Sequence, residues 1–346
     1  MPYGEVWRSH RKAFHREFQP QFVSRHHPKQ IKATHDLLRR LLTSPQDWYE
    51  HVRHHAGAVI MDIAYGIQVL DKNDPFILIA KAASTGITIA STPGAFLVDT
   101  LSLLKYIPAW VPGAGFQRRA SEWKKRTEDL IHLPYAALKK EQAAGIDKPS
   151  FVSRSLSAID ALGNVAEQEG IIRDTAPMIY LEVQAKAQAE LDAVIGRAQL
   201  PTFADRESLP YVMAVVKETL RWEGVASIAV PRQLREDDHY KGYFVPKGSI
   251  ILPNSWAILH DEQLYPDPFT FKPERFLKDG RIDPSVQDPE AAAFGYGRRI
   301  CPGKSMGLDA VWLTAASILA AFDIKRMTTP DGSCVEPNFI AVGITW

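Results

Sequence analysis

A chain of 346 residues with 45% hydrophobic content has apolar mass enough for one large domain or two ordinary ones. Its 41 Lys and Arg stand against 40 Asp and Glu, and the net charge of +1 excludes a global field that would draw in nucleic acid or another polyanion. Two cysteines, Cys301 and Cys334, make no disulfide framework and suit a reducing compartment.

The opening "MPYGEVWRSHRKAFHREF" mixes Arg, His and Glu with aromatics. It lacks the unbroken apolar core of a signal peptide or membrane anchor and reads as the inside of a fold. Apolar residues then recur at helical spacing from Trp7 to about Leu42 and from Asp47 to Ile67. The most apolar stretch, "PGAFLVDTLSLLKYIPAWVPGAG" (Pro93 to Gly115), is broken by Asp99, Lys105 and prolines well short of a membrane span. It reads first as a buried helix and loop, and second as a surface that dips into a lipid interface.

Helices are expected from about Leu181 to Ile195 and from about Pro210 to Trp222. From Gly242 to His260, β-branched runs flank a Pro-Lys-Gly turn, the pattern of a short hairpin or small sheet. Proline-rich coil to Pro289, a glycine-rich loop from Phe294 to Gly303 and an apolar helix from Lys304 to about Phe322 complete the reading. The fold class is mainly α with a small β region, in a single domain over 1–346.

The loop "FGYGRRICPGKSM" places Cys301 between Gly297 and Gly303, after two arginines and before a long helix. Glycines permit close approach to a sulfur, and a helix start contributes positive potential, so the surroundings favour thiolate over thiol. A single cysteine ligand beside Arg299 points to heme iron rather than to a zinc or iron–sulfur site, while the loop taken alone also reads as a small buried cysteine in a tight turn. Phe294, Gly297, Arg299, Cys301 and Gly303 together satisfy F-x-x-G-x-R-x-C-x-G.

That pattern resembles the cytochrome P450 family, especially its fungal members, and further elements follow the family's order. Glu218 and Arg221 in "KETLRW" match its E-x-x-R, and Arg275 in "FKPERF" matches the third member of a buried Glu-Arg-Arg cluster. Buried charges persist only when paired, so these two motifs explain each other. Trp7 and Arg11 in "WRSHR" match the W-x-x-x-R that contacts a heme propionate in the family, and Arg232 stands where members often present another basic residue to a propionate. The apolar segment Val225 to Val230 resembles a strand lining the substrate cavity, which implies an apolar substrate.

Other motifs carry less. His51 and His55 in "HVRHH" are spaced for a metal but have no glutamate between them, and a solvated helix face is expected. Gly295 and Gly297 lack the third glycine and the preceding strand of a dinucleotide loop, and Cys334 reads as an incidental thiol.

The resemblance also exposes a gap. "IIRDTAPMIY" resembles the approach to the family's long central helix, and "LEVQAKAQAE" the helix after it, but no A-G-x-D-T-T stands between Tyr180 and Leu181. Asp174 and Thr175 follow Arg173, where the pattern wants a small residue. A helix crossing about 30 Å needs roughly 20 residues, so an internal loss of about that size is expected, together with the anchor and first elements that precede Trp7 in the family.

The resemblance therefore implies a heme-dependent monooxygenase with an axial Cys301 thiolate. It would take electrons from NADPH through NADPH-cytochrome P450 reductase and insert one oxygen atom into an apolar small molecule. The alternative is a truncated, catalytically defective member with at most residual heme binding. The family's place is the endoplasmic reticulum membrane; without an anchor, this chain is expected in the cytoplasm or peripherally on a membrane through Pro93 to Gly115.

Overall fold

Gln30, Thr34, Leu37 and Leu38 stand at the spacing of one helical face, and they are the buried side of α1, His27–Thr43. The structure is a computed structural model that describes residues 4, 8, 11, 18–90, 96–99, 101–111, 113–143, 181–222, 224 and 228–324. The chain separates into two compact units: Met1–Ile172 with Ser305–Ile318, and Arg173–Lys304 with Leu319–Trp346.

In the first unit α1 packs on α2, Trp48–Tyr65. The helix stops at Gly66, whose φ of +70 is open to glycine at little cost. There Gly66 N–H donates to Asp62 O and Ile67 N–H to Met61 O, so the last carbonyls keep partners. Next, Asp74 sets the start of α3, Pro75–Ala90: its Oδ1 accepts from the N–H groups of Phe76 and Ile77 at 2.8 and 3.0 Å, and Pro75 follows it as the first helical residue. α4, Gly115–Ala143, lies close on α3, because a Cβ at Gly86 would come within 2.8 Å of the Trp123 ring. Phe18, Val23, Val59, Met61, Ile63 and Tyr65 form the core of this unit with Met306.

The second unit carries α5 (Leu181–Val194), α6 (Pro210–Trp222), the short α7 (Ser255–Leu259) and α8 (Glu290–Ala293). α9, Lys304–Ala321, ends the described helices; Ser305–Ile318 of it belongs to the first unit. α5 supplies caps to other helices. The two oxygens of Glu190 accept from Tyr211 N–H and Val212 N–H at 2.7 and 2.9 Å where α6 begins, and Gln188 Nε2 donates to Leu319 O and Phe322 O at 3.1 Å where α9 ends. Ala214, Leu259, Tyr265, Phe276 and Ala292 form the core.

Each sheet here has two antiparallel strands. β1 (Arg232–Gln233) pairs with β4 (Ile250–Ile251), β2 (Asp238–Tyr240) with β3 (Tyr243–Val245), and β5 (Leu277–Lys278) with β6 (Arg281–Ile282). Lys241 and Gly242, and likewise Asp279 and Gly280, have positive φ, the two-residue turn whose twist matches that of the strands it joins.

Several expectations are corrected. The runs around the Pro-Lys-Gly turn pair outward, with β2 and with β1, rather than with each other, and Ser255–Leu259 is helical. The described part of Val225 to Val230, Ile228 onward, is not a strand; the ladder starts at Arg232, although Ala229 N–H does donate to Pro253 O. The coil before Pro289 contains the β5–β6 hairpin, which the Asp-Gly pair signals. Within Pro93 to Gly115, the described residues include two short 3-10 turns, Leu97–Asp99 and Ser102–Tyr106, and several large apolar side chains are exposed, Leu103 at 81% and Trp110 at 80%, while Ala114 is buried. No helix among the described residues is long and apolar enough to cross a membrane.

The solvated face expected for "HVRHH" is also overturned. His51 Nε2 lies 2.9 Å from Ser44 O, and His55 is buried between α1 and α9. Its Nδ1 is 3.1 Å from Ala33 O and its Nε2 3.1 Å from Thr314 Oγ1. A carbonyl only accepts, so Nδ1 holds the proton and Nε2 accepts from the threonine, which leaves neither nitrogen for a metal.

Burial is the main cause that lowers the His55 pKa from 6.5 to about 4, against the smaller opposing pull of the Ala33 carbonyl. The unfolded chain therefore binds this proton more tightly. Stability held above pH 6.5 is lost as pH falls toward about 4, by on the order of 3 kcal/mol. Urea unfolding of the parent chain and of His55→Gln, each at about pH 7.5 and about pH 5, checks this. The parent midpoint should fall between the two conditions by clearly more than that of the variant.

Candidate active site: the cysteine loop and its support

The charged residues of α6 decide how the second unit is built. Glu218 and Arg221 share one face at i,i+3, and both are fully buried. Glu218 Oε2 accepts from Arg221 Nε at 2.7 Å. Its Oε1 accepts from Arg221 Nη2 at 2.9 Å, Arg275 Nε at 3.1 Å and Lys272 N–H at 2.7 Å. The arginines spend their other donors on main-chain carbonyls: Arg221 Nη1 on Leu259 O at 3.0 Å, and Arg275 Nη2 on Asp267 O and Thr270 O, both at 3.0 Å. The expected Glu218, Arg221 and Arg275 cluster is thus assembled, and its charges are satisfied in the way buried charges require.

Tyr265 extends it. Arg221 lies 5.6 Å from the centre of its ring, and the hydroxyl donates to Gln287 O at 3.0 Å. Burial raises the phenol to about 12, with the nearby Arg221 pulling the other way.

The cysteine loop leaves α8 at Phe294 and reaches α9 at Lys304. Gly295 and Gly297 have φ of +76 and +56, so the fixed Gly297 of the motif meets a backbone requirement. The 3-10 turn Gly297–Arg299 carries Arg299, and Cys301 N–H donates to Phe294 O at 2.7 Å, drawing the motif's first and eighth positions together. A Cβ on Gly303 would stand 3.9 Å from Cys301 Sγ, at contact distance. Cys301 is half-buried, and the 18-residue α9 starts three positions later. Tyr296 OH and Ser255 Oγ, 2.8 Å apart, tie the loop to α7.

Arg232 is half-buried on β1, opposite Ile251. Arg11 is half-buried in the first unit, while Trp7, Cys334, Asp174, Thr175 and Tyr180 lie outside the described residues; Leu181 opens α5. Sequence patterns passed over Lys217, Asp288, Glu290 and Lys304, which are linked by ion pairs beside the loop. The signal for them is a lysine placed directly before Glu218 on the buried face of a helix, a charge that needs partners.

The sequence pattern of the family described as "Cytochrome P450" matches residues 178–342. The chain is 43% identical over 359 positions to cytochrome P450 monooxygenase 98 of Postia placenta, covering 97% of this chain and 69% of that protein. It is 40% identical to tryptamine 4-monooxygenase of Psilocybe cyanescens, covering 96% and 70% of the two chains. It is also 39% identical over 369 positions to cytochrome P450 monooxygenase COX2 of Coprinopsis cinerea, covering 99% and 70%. The chain belongs to the cytochrome P450 family, and its mainly helical fold with small sheets is that family's. The family implies a heme-thiolate cofactor.

Removing one partner from the buried cluster leaves charge without compensation. Arg221→Ala should cost about 3 to 5 kcal/mol in urea unfolding. Lys186→Ala, which breaks the more exposed Lys186–Glu274 pair, should cost under about 1 kcal/mol.

Proposed function

We propose that the chain binds heme through the Cys301 thiolate, as a single domain of a monooxygenase acting on an apolar small molecule. The observation that carries this is the loop itself: a half-buried sulfur that a side chain at Gly303 would touch, Cys301 N–H turned to Phe294 O, and a long helix starting just beyond. Positive potential from that helix start and from Arg299 favours the ionised sulfur. Phe294, Gly297 and Gly303 shape the loop, while Glu218, Arg221 and Arg275 hold the chain behind it. Trp7, Arg11, Arg232 and Arg299 are assigned to the propionates, for which guanidinium forks suit carboxylates. Bound heme supplies the oxygen chemistry, and a thiolate ligand favours O–O cleavage. One oxygen atom enters a C–H bond and the other leaves as water, with electrons from NADPH through NADPH-cytochrome P450 reductase.

A carbon-monoxide difference spectrum of the reduced, heme-supplemented chain tests the ligand. A strongly red-shifted Soret band is expected, and Cys301→Ala should abolish it. Persistence of the band in the variant overturns the assignment.

A second reading concerns turnover: this chain lacks the oxygen-activating segment between Tyr180 and Leu181, so it holds heme but is defective in oxygenation. Two observations favour it. The alignments with relatives run over 359 and 369 positions, more than the 346 residues of the chain, so those relatives carry residues that it lacks. The family pattern also begins to match only at residue 178, beside the proposed seam. With reductase and NADPH, the heme-loaded chain should form no oxygenated product, whereas inserting the corresponding segment of a relative at the seam should restore it. Coupled product formation by the chain as it stands overturns this reading.

Peripheral membrane contact is supported by Leu97, Leu103, Tyr106 and Trp110, all more than two-thirds exposed. Replacing Leu103 and Trp110 by Asp should weaken binding to phospholipid vesicles about tenfold or more in a flotation assay.

A further inference from the structure

Glu290 gives its two carboxylate oxygens to different lysines. Oε2 lies 2.8 Å from Lys304 Nζ, and Oε1 lies 3.5 Å from Lys217 Nζ, which also meets Asp288 Oδ2 at 2.5 Å. Glu290 is the first residue of α8 and Lys304 the first of α9, so the Glu290–Lys304 pair ties the start of the helix that precedes the cysteine loop to the residue at which the loop ends. Cys301 N–H to Phe294 O closes the loop once through the main chain; the ion pair closes it again through side chains. Lys217 anchors this closure to α6, since its buried ammonium requires the carboxylates of Asp288 and Glu290. None of these residues belongs to the F-x-x-G-x-R-x-C-x-G, E-x-x-R or P-E-R-F patterns.

We propose that Glu290 is a positioning residue for the Cys301 sulfur: by bridging Lys304 to Lys217 it holds the mouth of the loop shut and keeps the sulfur in its half-buried place. This rests on Cys301 as the heme ligand, but its test needs no heme. In a Cys334→Ser background, the rate of alkylation by iodoacetamide at about pH 7.5 reports access to Cys301 alone. Glu290→Gln and Lys304→Gln should each accelerate labelling about fivefold or more, while Lys304→Arg, which keeps charge and reach, should stay within about twofold of the parent.

The signs separate positioning from electrostatics. Losing the Lys304 charge alone would disfavour the thiolate and slow the reaction, whereas losing the Glu290 charge alone would speed it. Acceleration in both variants supports positioning. Opposite changes, or rates equal to the parent, overturn it, as does equal acceleration by Lys304→Arg and Lys304→Gln. Should Glu290→Gln fail to fold because Lys217 loses a partner, the two Lys304 variants decide by the same criteria. Absence of the red-shifted Soret band in the parent would instead remove the ligand assignment and leave the labelling result standing.

Discussion

The second unit depends on one buried carboxylate. Glu218 receives four donors, from two arginines and a main-chain amide, and is fully buried. Such a group stabilises little relative to a well-packed apolar side chain of the same volume, but it is unforgiving about geometry, because each missing partner exposes an unpaired charge to low dielectric. The arginines in turn need carbonyls, and they take them from Leu259, Pro266, Asp267 and Thr270. Coil with no ladder of its own is therefore ordered by side-chain donors, as a strand would order it by pairing.

How much of this is visible in residues alone depends on the kind of force involved. α6 and α9 begin where the sequence places them, because helical periodicity, a proline at Pro210 and the break at Gly303 are local signals. The cluster was legible too, since an E-x-x-R on a buried helix face and a P-E-R-F element account for each other only as partners. Strand pairing was less legible. The β-branched runs beside Pro-Lys-Gly identify strands but not their mates: β4 pairs with β1 across a separation that no local preference fixes, whereas β3 pairs with β2 through the local Lys241–Gly242 turn, a signal that the Pro-Lys-Gly reading passed over. His55 failed for a related reason: its neighbours His51 and His54 suggest a polar face, while Ala33 and Thr314, distant in sequence, supply the partners that let it be buried. The network of Lys217, Asp288, Glu290 and Lys304 has no motif because each residue answers the charge of another rather than a step of chemistry.

The two units are held in different ways. The first is held by close helix approach, as at Gly86 against Trp123, and by capped ends such as Asp74 before α3. The second is held by charge, and its cysteine loop is restrained by polar links: Ser255 to Tyr296, Glu290 to Lys304 and Cys301 N–H to Phe294 O. A loop so restrained keeps a sulfur at a fixed depth without any covalent constraint, which is the condition a metal ligand must meet before the metal arrives.

α5 grips its neighbours by its middle and far portions. Lys186, Gln188 and Glu190 reach Glu274, the end of α9 and the start of α6. Among its described side chains, these three links set the rotation and depth of that rod.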